Sequence, residues 1–225
     1  MNKIQKVYNI LLKEFKHQGW WPINLKYLPE DYSKPGTEEE ILEICFGAIL
    51  TQNTSWKNVE KALINLQKNN LFNLKKLQKI DVKKLAEIIK SSGYNNQKAR
   101  KIKEFINFLE SKKGITRENL LNVWGIGPET ADSILLYSYK KPYFVIDAYT
   151  KRIFNRLGFK ETRYEDLQNL FTKNLEKDYK IYNEYHALLV KLGKDVCKTK
   201  PLCHKCPLNK DCSYNNYGWQ GLKKR

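Results

Sequence analysis

The sequence predicts an all-α protein. Three observations carry that prediction: apolar side chains recur at close to 3.6 residues, as in Ile4, Val7, Ile10 and Leu11 and again in Leu63 and Leu66; alternating period-two segments are almost absent; and the connections between apolar-periodic segments are short. Helices are expected at 3–16, 38–51, 56–68, 74–79, 82–91, 96–112, 117–122, 128–138, 147–157, 164–174 and 179–195. A chain of 225 residues with 41% hydrophobic and 12% aromatic side chains can bury a core without disulfide staples, as one domain or as two small ones.

The first helix opens directly from MNKIQKVYNILLKEF, where charges interrupt any continuous apolar stretch, so no secretion signal is read there. No apolar run approaches the ~20 residues of a membrane span, and a cytoplasmic protein is expected. The exception to the short loops is Pro22 to Thr37, with three prolines and one glycine in sixteen residues, an ordered connector between the first helix and the next. Lys and Arg number 41 against 24 Asp and Glu, a formal net charge of +17. Without a lipidation motif or a basic amphipathic anchor, the polyanion that such a charge suits best is nucleic acid; a merely lysine-rich proteome is the other reading.

The tail from Lys191 onward carries nine basic and two acidic residues and four of the five cysteines. Cys197, Cys203, Cys206 and Cys212 form C-x5-C-x2-C-x5-C inside sixteen residues. In a chain without an export signal, four thiols this close point to a metal rather than to disulfides. Zinc and an iron–sulfur cluster both accept four thiolates, and a single C-x2-C between two longer gaps favours a [4Fe-4S] cubane. Lys198, Lys200, Lys205 and Lys210 stand in the loops between the ligands, where they would meet phosphates. Cys45, within ILEICFGAIL, reads as a buried core thiol.

Residues Leu120 to Tyr137 read LLNVWGIGPETADSILLY: an apolar helix end, a Gly125-Ile126-Gly127 turn, then Pro128 at a helix start. This is a helix-hairpin-helix, whose glycines allow backbone N–H groups to approach a DNA phosphate without base readout. Further on, Tyr143-Phe144-Val145-Ile146-Asp147 brings an apolar run to one carboxylate at a helix start. On its own Asp147 reads as a helix cap.

The hairpin, this acid and the cysteine cluster, in that order and over nearly the whole chain, resemble the endonuclease III superfamily of DNA glycosylases, the helix-hairpin-helix group ending in Gly/Pro…Asp. The resemblance implies two helical domains: a six-helix barrel over 38–139 that contains the hairpin at 120–138, and a second domain joining 1–37 with 140–225 around a [4Fe-4S] cluster at 197–212. One departure stands out: the family usually places six residues between its first two cluster ligands, and this chain has five. Asp147 falls on the family's catalytic aspartate, whose charge opposes the positive charge growing on the deoxyribose as the N-glycosidic bond breaks.

Bifunctional members carry an amine nucleophile two residues after the second hairpin glycine. Here that slot is Glu129, which cannot form a Schiff base, so the resemblance points to a monofunctional enzyme that leaves an abasic site. Gln52 lies where the family fills the hole left by a flipped base, and Tyr94 replaces the usual leucine wedge. Trp20-Trp21-Pro22 together with Glu129 is similar to the branch that excises 3-methyladenine, since stacked indoles suit a cationic methylated purine; the pair reads equally as a core seam. Phe46 would complete that pocket. The expected partner is double-stranded DNA containing a modified base, bound by a monomer in association with the nucleoid and with no membrane. The alternatives are an endonuclease III-like glycosylase and lyase acting on oxidised pyrimidines, and a non-catalytic DNA-binding module that uses the hairpin and cluster only to dock.

Overall fold

The computed structural model describes residues 2–216. Among them the structure is helical, with no strand beyond an isolated bridge between Ile23 and Lys26. The last nine residues of the expected 140–225 span, with Lys223, Lys224 and Arg225 of the basic tail, lie outside the described residues. The chain divides into two compact units: Met1–Trp20 with Tyr27–Asp31 and Pro142–Arg225, and Trp21–Lys26 with Tyr32–Lys141. Most of the connector, together with Trp21 just before it, thus groups with the hairpin-bearing unit, whereas the family resemblance places all of 1–37 with the other.

The hairpin-bearing unit runs α2 (Glu38–Leu50), α3 (Trp56–Lys68), α4 (Leu74–Lys79), α5 (Val82–Ile88), α6 (Asn95–Glu110), α7 (Arg117–Leu121) and α8 (Pro128–Ser133). Its centre is α2. Thr37 caps this helix by accepting from the Glu40 amide, three glutamates fill its first turn, and every residue from Leu42 to Leu50 is buried. An all-round apolar helix can be satisfied only by neighbours on every side, and α3, α6, α8 and the turn after α8 supply them. The C-terminal carbonyls of α2 meet a buried cation: Lys98 Nζ donates to Leu50 O at 2.8 Å and to Ser92 O at 2.7 Å. Burial pushes the Lys98 ammonium down to about 8, with Lys101 adding repulsion.

Two helices differ from their sequence-based extents. The stretch expected as a helix over 82–91 is α5 to Ile88 followed by a 3-10 turn at Lys90–Ser92, where Gly93 turns at φ 70°. The stretch expected over 128–138 is α only to Ser133, then widens into a π turn over Ile134–Ser138 that packs on α2. Wider turns place more side-chain surface against a neighbour than an α turn does, and all five of these residues are buried.

The other unit contains α1 (Lys3–Phe15), α9 (Ala148–Arg156), α10 (Tyr164–Asn174) and α11 (Tyr179–Asp195). Its core is aromatic. Phe144 stacks on Phe171 with centroids 3.8 Å apart, and Tyr182 and Tyr185 meet Phe144 edge-on. The Tyr185 hydroxyl donates to Ile4 O at 2.8 Å, tying α11 to the first turn of α1.

Candidate DNA-repair site

The hairpin is built as its sequence dictates. Gly125 adopts φ +82°, and a Cβ there would lie 2.6 Å from the Lys101 side chain, so both backbone and space demand glycine. Gly127 instead caps α8 in extended geometry with open space around it. Ile126 is buried and anchors the turn, its amide donating to Val123 O at 3.1 Å. Arg117 at the start of α7 pairs with Asp132 on α8, Nε to Oδ1 at 2.7 Å, with the carboxylate fully buried. This ion pair fixes the two helices of the hairpin to each other. Gly125→Ala should therefore destabilise the unit by about 1–3 kcal/mol and reduce affinity for undamaged duplex; thermal melting together with a DNA-binding titration checks both.

Gln52 sits in the turn after α2 and is tied to the hairpin. Its Nε2 donates to Gly125 O at 3.2 Å and to Thr130 Oγ1 at 3.0 Å, while Lys101 Nζ donates to its Oε1. Tyr94 is 66% exposed and holds a left-handed backbone at φ 47° immediately before α6. A large aromatic ring kept in solvent on a strained backbone is costly unless something outside the fold uses it. Glu129 is exposed in the first turn of α8.

The tryptophan pair divides. Trp20 belongs to the unit that holds α1 and has Tyr27 as its ring neighbour at 6.0 Å. Trp21 belongs to the other unit, edge-on to Trp56 at 5.3 Å and tilted against Tyr137 at 5.3 Å. Its indole lies over Gly47 of α2, where a Cβ would come within 2.8 Å. Pro22 is buried. Phe46 departs from the expected pocket role: it is fully buried, with Phe72 6.0 Å away, because α2 is enclosed on all sides. Trp56 and Tyr137 were not singled out by sequence; Trp56 directly follows the Thr51–Ser55 segment, which was its only signal.

In the other unit Asp147 caps α9. Its Oδ1 accepts from the Thr150 amide at 2.7 Å, and its Oδ2 lies 3.8 Å from Nε2 of His186, a buried residue of α11 that sequence reading passed over. The carboxylate keeps 13% of its surface exposed.

Cys197, Cys203, Cys206 and Cys212 line one cavity of about 280 Å³, open solvent included, with Arg156 in its wall. Among the described residues no three His, Cys, Asp or Glu side chains are grouped so as to hold a metal ion. Burial and the neighbouring thiols push Cys206 up to about 11 and raise Cys203. Four thiolates lining one cavity need a positive centre among them, and this all-sulfur donor set fits a thiolate-ligated metal centre. Arg156, 7% exposed, organises the loop around them: Nη1 donates to Cys197 Sγ at 3.2 Å and Lys198 O at 2.6 Å, and Nη2 to Thr199 O at 2.9 Å. Arg152 adds Nε to Cys197 O and Nη2 to Gly193 O, both at 2.9 Å. Lys198, Lys200, Lys205 and Lys210 are all exposed on this loop. Cys45 is buried in the other unit, its sulfur 3.3 Å from Ser138 Oγ, and takes no part.

The helical scaffold carries a glycine hairpin in one unit and, separately, a helix-capping carboxylate in the other. The chain belongs to the HhH-GPD superfamily of base excision DNA repair proteins, whose family model matches residues 46–177, and with it to the DNA glycosylases of base excision repair. It is 42% identical over 224 residues, 93% of this chain and 95% of the other, to a Methanocaldococcus jannaschii protein designated a DNA repair glycosylase. It is 32% identical over 187 residues to endonuclease III of Thermotoga maritima, covering 79% of this chain and 84% of that one. Among solved structures, Helicobacter pylori 3-methyladenine DNA glycosylase bound to 1,N6-ethenoadenine matches with a TM-score of 0.71 at 28% identity, over 86% of this chain and 98% of that one. Among the described residues no helix is long and apolar enough to cross a membrane.

Proposed function

We propose that the chain is a monofunctional DNA glycosylase that flips an alkylated purine such as 3-methyladenine out of duplex DNA and hydrolyses its N-glycosidic bond, leaving an abasic site. The observation that carries this reading is the aromatic group of Trp21, Trp56 and Tyr137, with the Trp21 indole laid over Gly47, an electron-rich set of rings in the hairpin-bearing unit. A methylated purine is cationic and electron-poor, so it gains from such rings what a neutral base does not. The likeness to the Helicobacter pylori 3-methyladenine enzyme supports the same substrate class.

The chemistry asked of the protein is modest, because alkylation already weakens the bond to the sugar. Gly125 and Gly127 hold a phosphate through backbone amides on the turn that Ile126 anchors, and Tyr94 enters the opened step. Asp147 opposes the positive charge that develops on the deoxyribose and orients the incoming water. Glu129 offers no amine, so the sugar is not captured and the strand stays uncut. Cys197, Cys203, Cys206 and Cys212 would hold a [4Fe-4S] cluster. When bound, that group supplies the covalent tie that shapes the lysine-bearing loop. The protein acts as a monomer in the cytoplasm, on the nucleoid.

Trp56→Ala tests the carrying observation. It should slow single-turnover release of 3-methyladenine by about ten- to a hundredfold, a stacking face being worth roughly 1–3 kcal/mol, with binding to undamaged duplex little changed. Equal slowing for a neutral lesion such as 1,N6-ethenoadenine would remove the cationic purine from the reading.

A further inference from the structure

His186 is a buried titratable group that nothing in the reaction so far uses. It lies on α11 between Tyr185 and Ala187, 5% exposed, with Nε2 at ion-pair distance, 3.8 Å, from Asp147 Oδ2. The other carboxylate oxygen is already committed, since Oδ1 accepts from the Thr150 amide at 2.7 Å. Oδ2 is thus the oxygen whose position and charge the helix cap does not fix.

The charged groups on the surrounding elements are engaged elsewhere. From α9, Arg152 spends its guanidinium on the Cys197 and Gly193 carbonyls. On α11 itself, Glu184 takes the Gln18 amide at 2.7 Å and faces His17 Nδ1 at 3.1 Å. From α1, Tyr8 packs its ring at a tilt against Tyr185 and is held neutral, burial pushing its hydroxyl up to about 12. Asp147 is the charge that acts on His186. Burial lowers the imidazole below its usual 6.5, and the attraction of Asp147 opposes that without overcoming it.

We propose that His186 is a positioning residue for Asp147, standing beside Oδ2 at ion-pair distance while neutral and cancelling its charge when protonated, and so sets the acid limit of base excision. This rests on Asp147 being the carboxylate that faces the sugar cation. In its neutral form the ring stands beside Oδ2 and leaves the carboxylate its full negative charge. As pH falls through the lowered pKa of His186, an imidazolium forms against Oδ2, and the pair as a whole ceases to oppose a developing positive charge.

The test compares single-turnover excision from a 3-methyladenine duplex between about pH 5 and 8 for the wild type and His186→Gln, which keeps a neutral donor without a titratable ring. Expected is an acid fall in the wild type that His186→Gln abolishes, with a rate at pH 8 within about tenfold of the wild type. A purely packing role would lower rate and melting temperature alike at every pH and leave the acid fall in place, and that outcome overturns the proposal. Histidine ring NMR gives a readout independent of activity: the chain has three histidines, so His186 is readily assigned. Asp147→Asn should lower the His186 pKa further, because the charge that raises it is gone. An unmoved pKa also overturns the proposal, and this titration decides should His186→Gln fail to fold. Wild-type protein that excises no base would instead refute the proposed function, while the NMR titrations still report on the coupling of the pair.

Discussion

Asp147→Asn should lower single-turnover base excision by about a hundred- to a thousandfold, the loss that follows when one charge aimed at a transition state is removed. The fold should survive. Asparagine caps a helix as well as aspartate does, and its side-chain oxygen can keep the 2.7 Å bond from the Thr150 amide. What disappears is the negative charge at the first turn of α9, worth about 0.3–1 kcal/mol to the helix and far more to an oxocarbenium-like sugar. The two effects separate in one pair of measurements. A near-normal excision rate with an unchanged melting temperature would take Asp147 out of the mechanism and return it to the helix cap.

The second large effect belongs to Arg156. Arg156→Met keeps a long apolar stem but removes the donors that satisfy the Lys198 and Thr199 carbonyls and reach Cys197 Sγ. Each of these part-buried hydrogen bonds from a charged donor is worth about 1.5–3 kcal/mol at most, so the whole change should cost about 2–4 kcal/mol and lower the melting temperature by about 5–15 °C. The thiol loop is the part expected to loosen. Wild-type protein should purify brown with about four irons per chain, and Arg156→Met should retain much less iron. Arg156→Lys keeps the charge without the planar fork and should fall between them. Wild-type protein with one zinc and no iron would overturn the cluster assignment.

These two residues mark the limit of what the sequence disclosed. Helix starts were legible where a capping side chain announces them: Thr37, Asp81, Asp147 and Asp178 all accept a backbone amide of the helix that follows. The hairpin turn was legible because Gly125 needs a positive φ that few other residues tolerate. The π turn at Ile134–Ser138 was not, since its hydrogen-bond register is set by packing against α2 and leaves no periodic trace. The place of Phe46 and Trp21 was illegible for a related reason. Apolar residues can be assigned to a core or to a pocket only once their neighbours are known, and here α2 encloses Phe46 while Trp21 leans on Gly47 and leaves its chain neighbour Trp20 to the other unit. His186 sits 39 residues from Asp147 in sequence and in an apolar run, where a histidine ordinarily means core packing. Arg156 resembled any basic residue near a helix end.

The proposed function is release of an alkylated purine with the strand left intact. It is tested most directly by incubating the protein in excess with a duplex carrying a single 3-methyladenine, then assaying free base and strand cleavage with and without alkali. The account predicts free 3-methyladenine from the wild type and strand cleavage only after alkali, because Glu129 provides no amine to attack the sugar. Strand cleavage without alkali, or an oxidised pyrimidine released in place of the methylated purine, would contradict it.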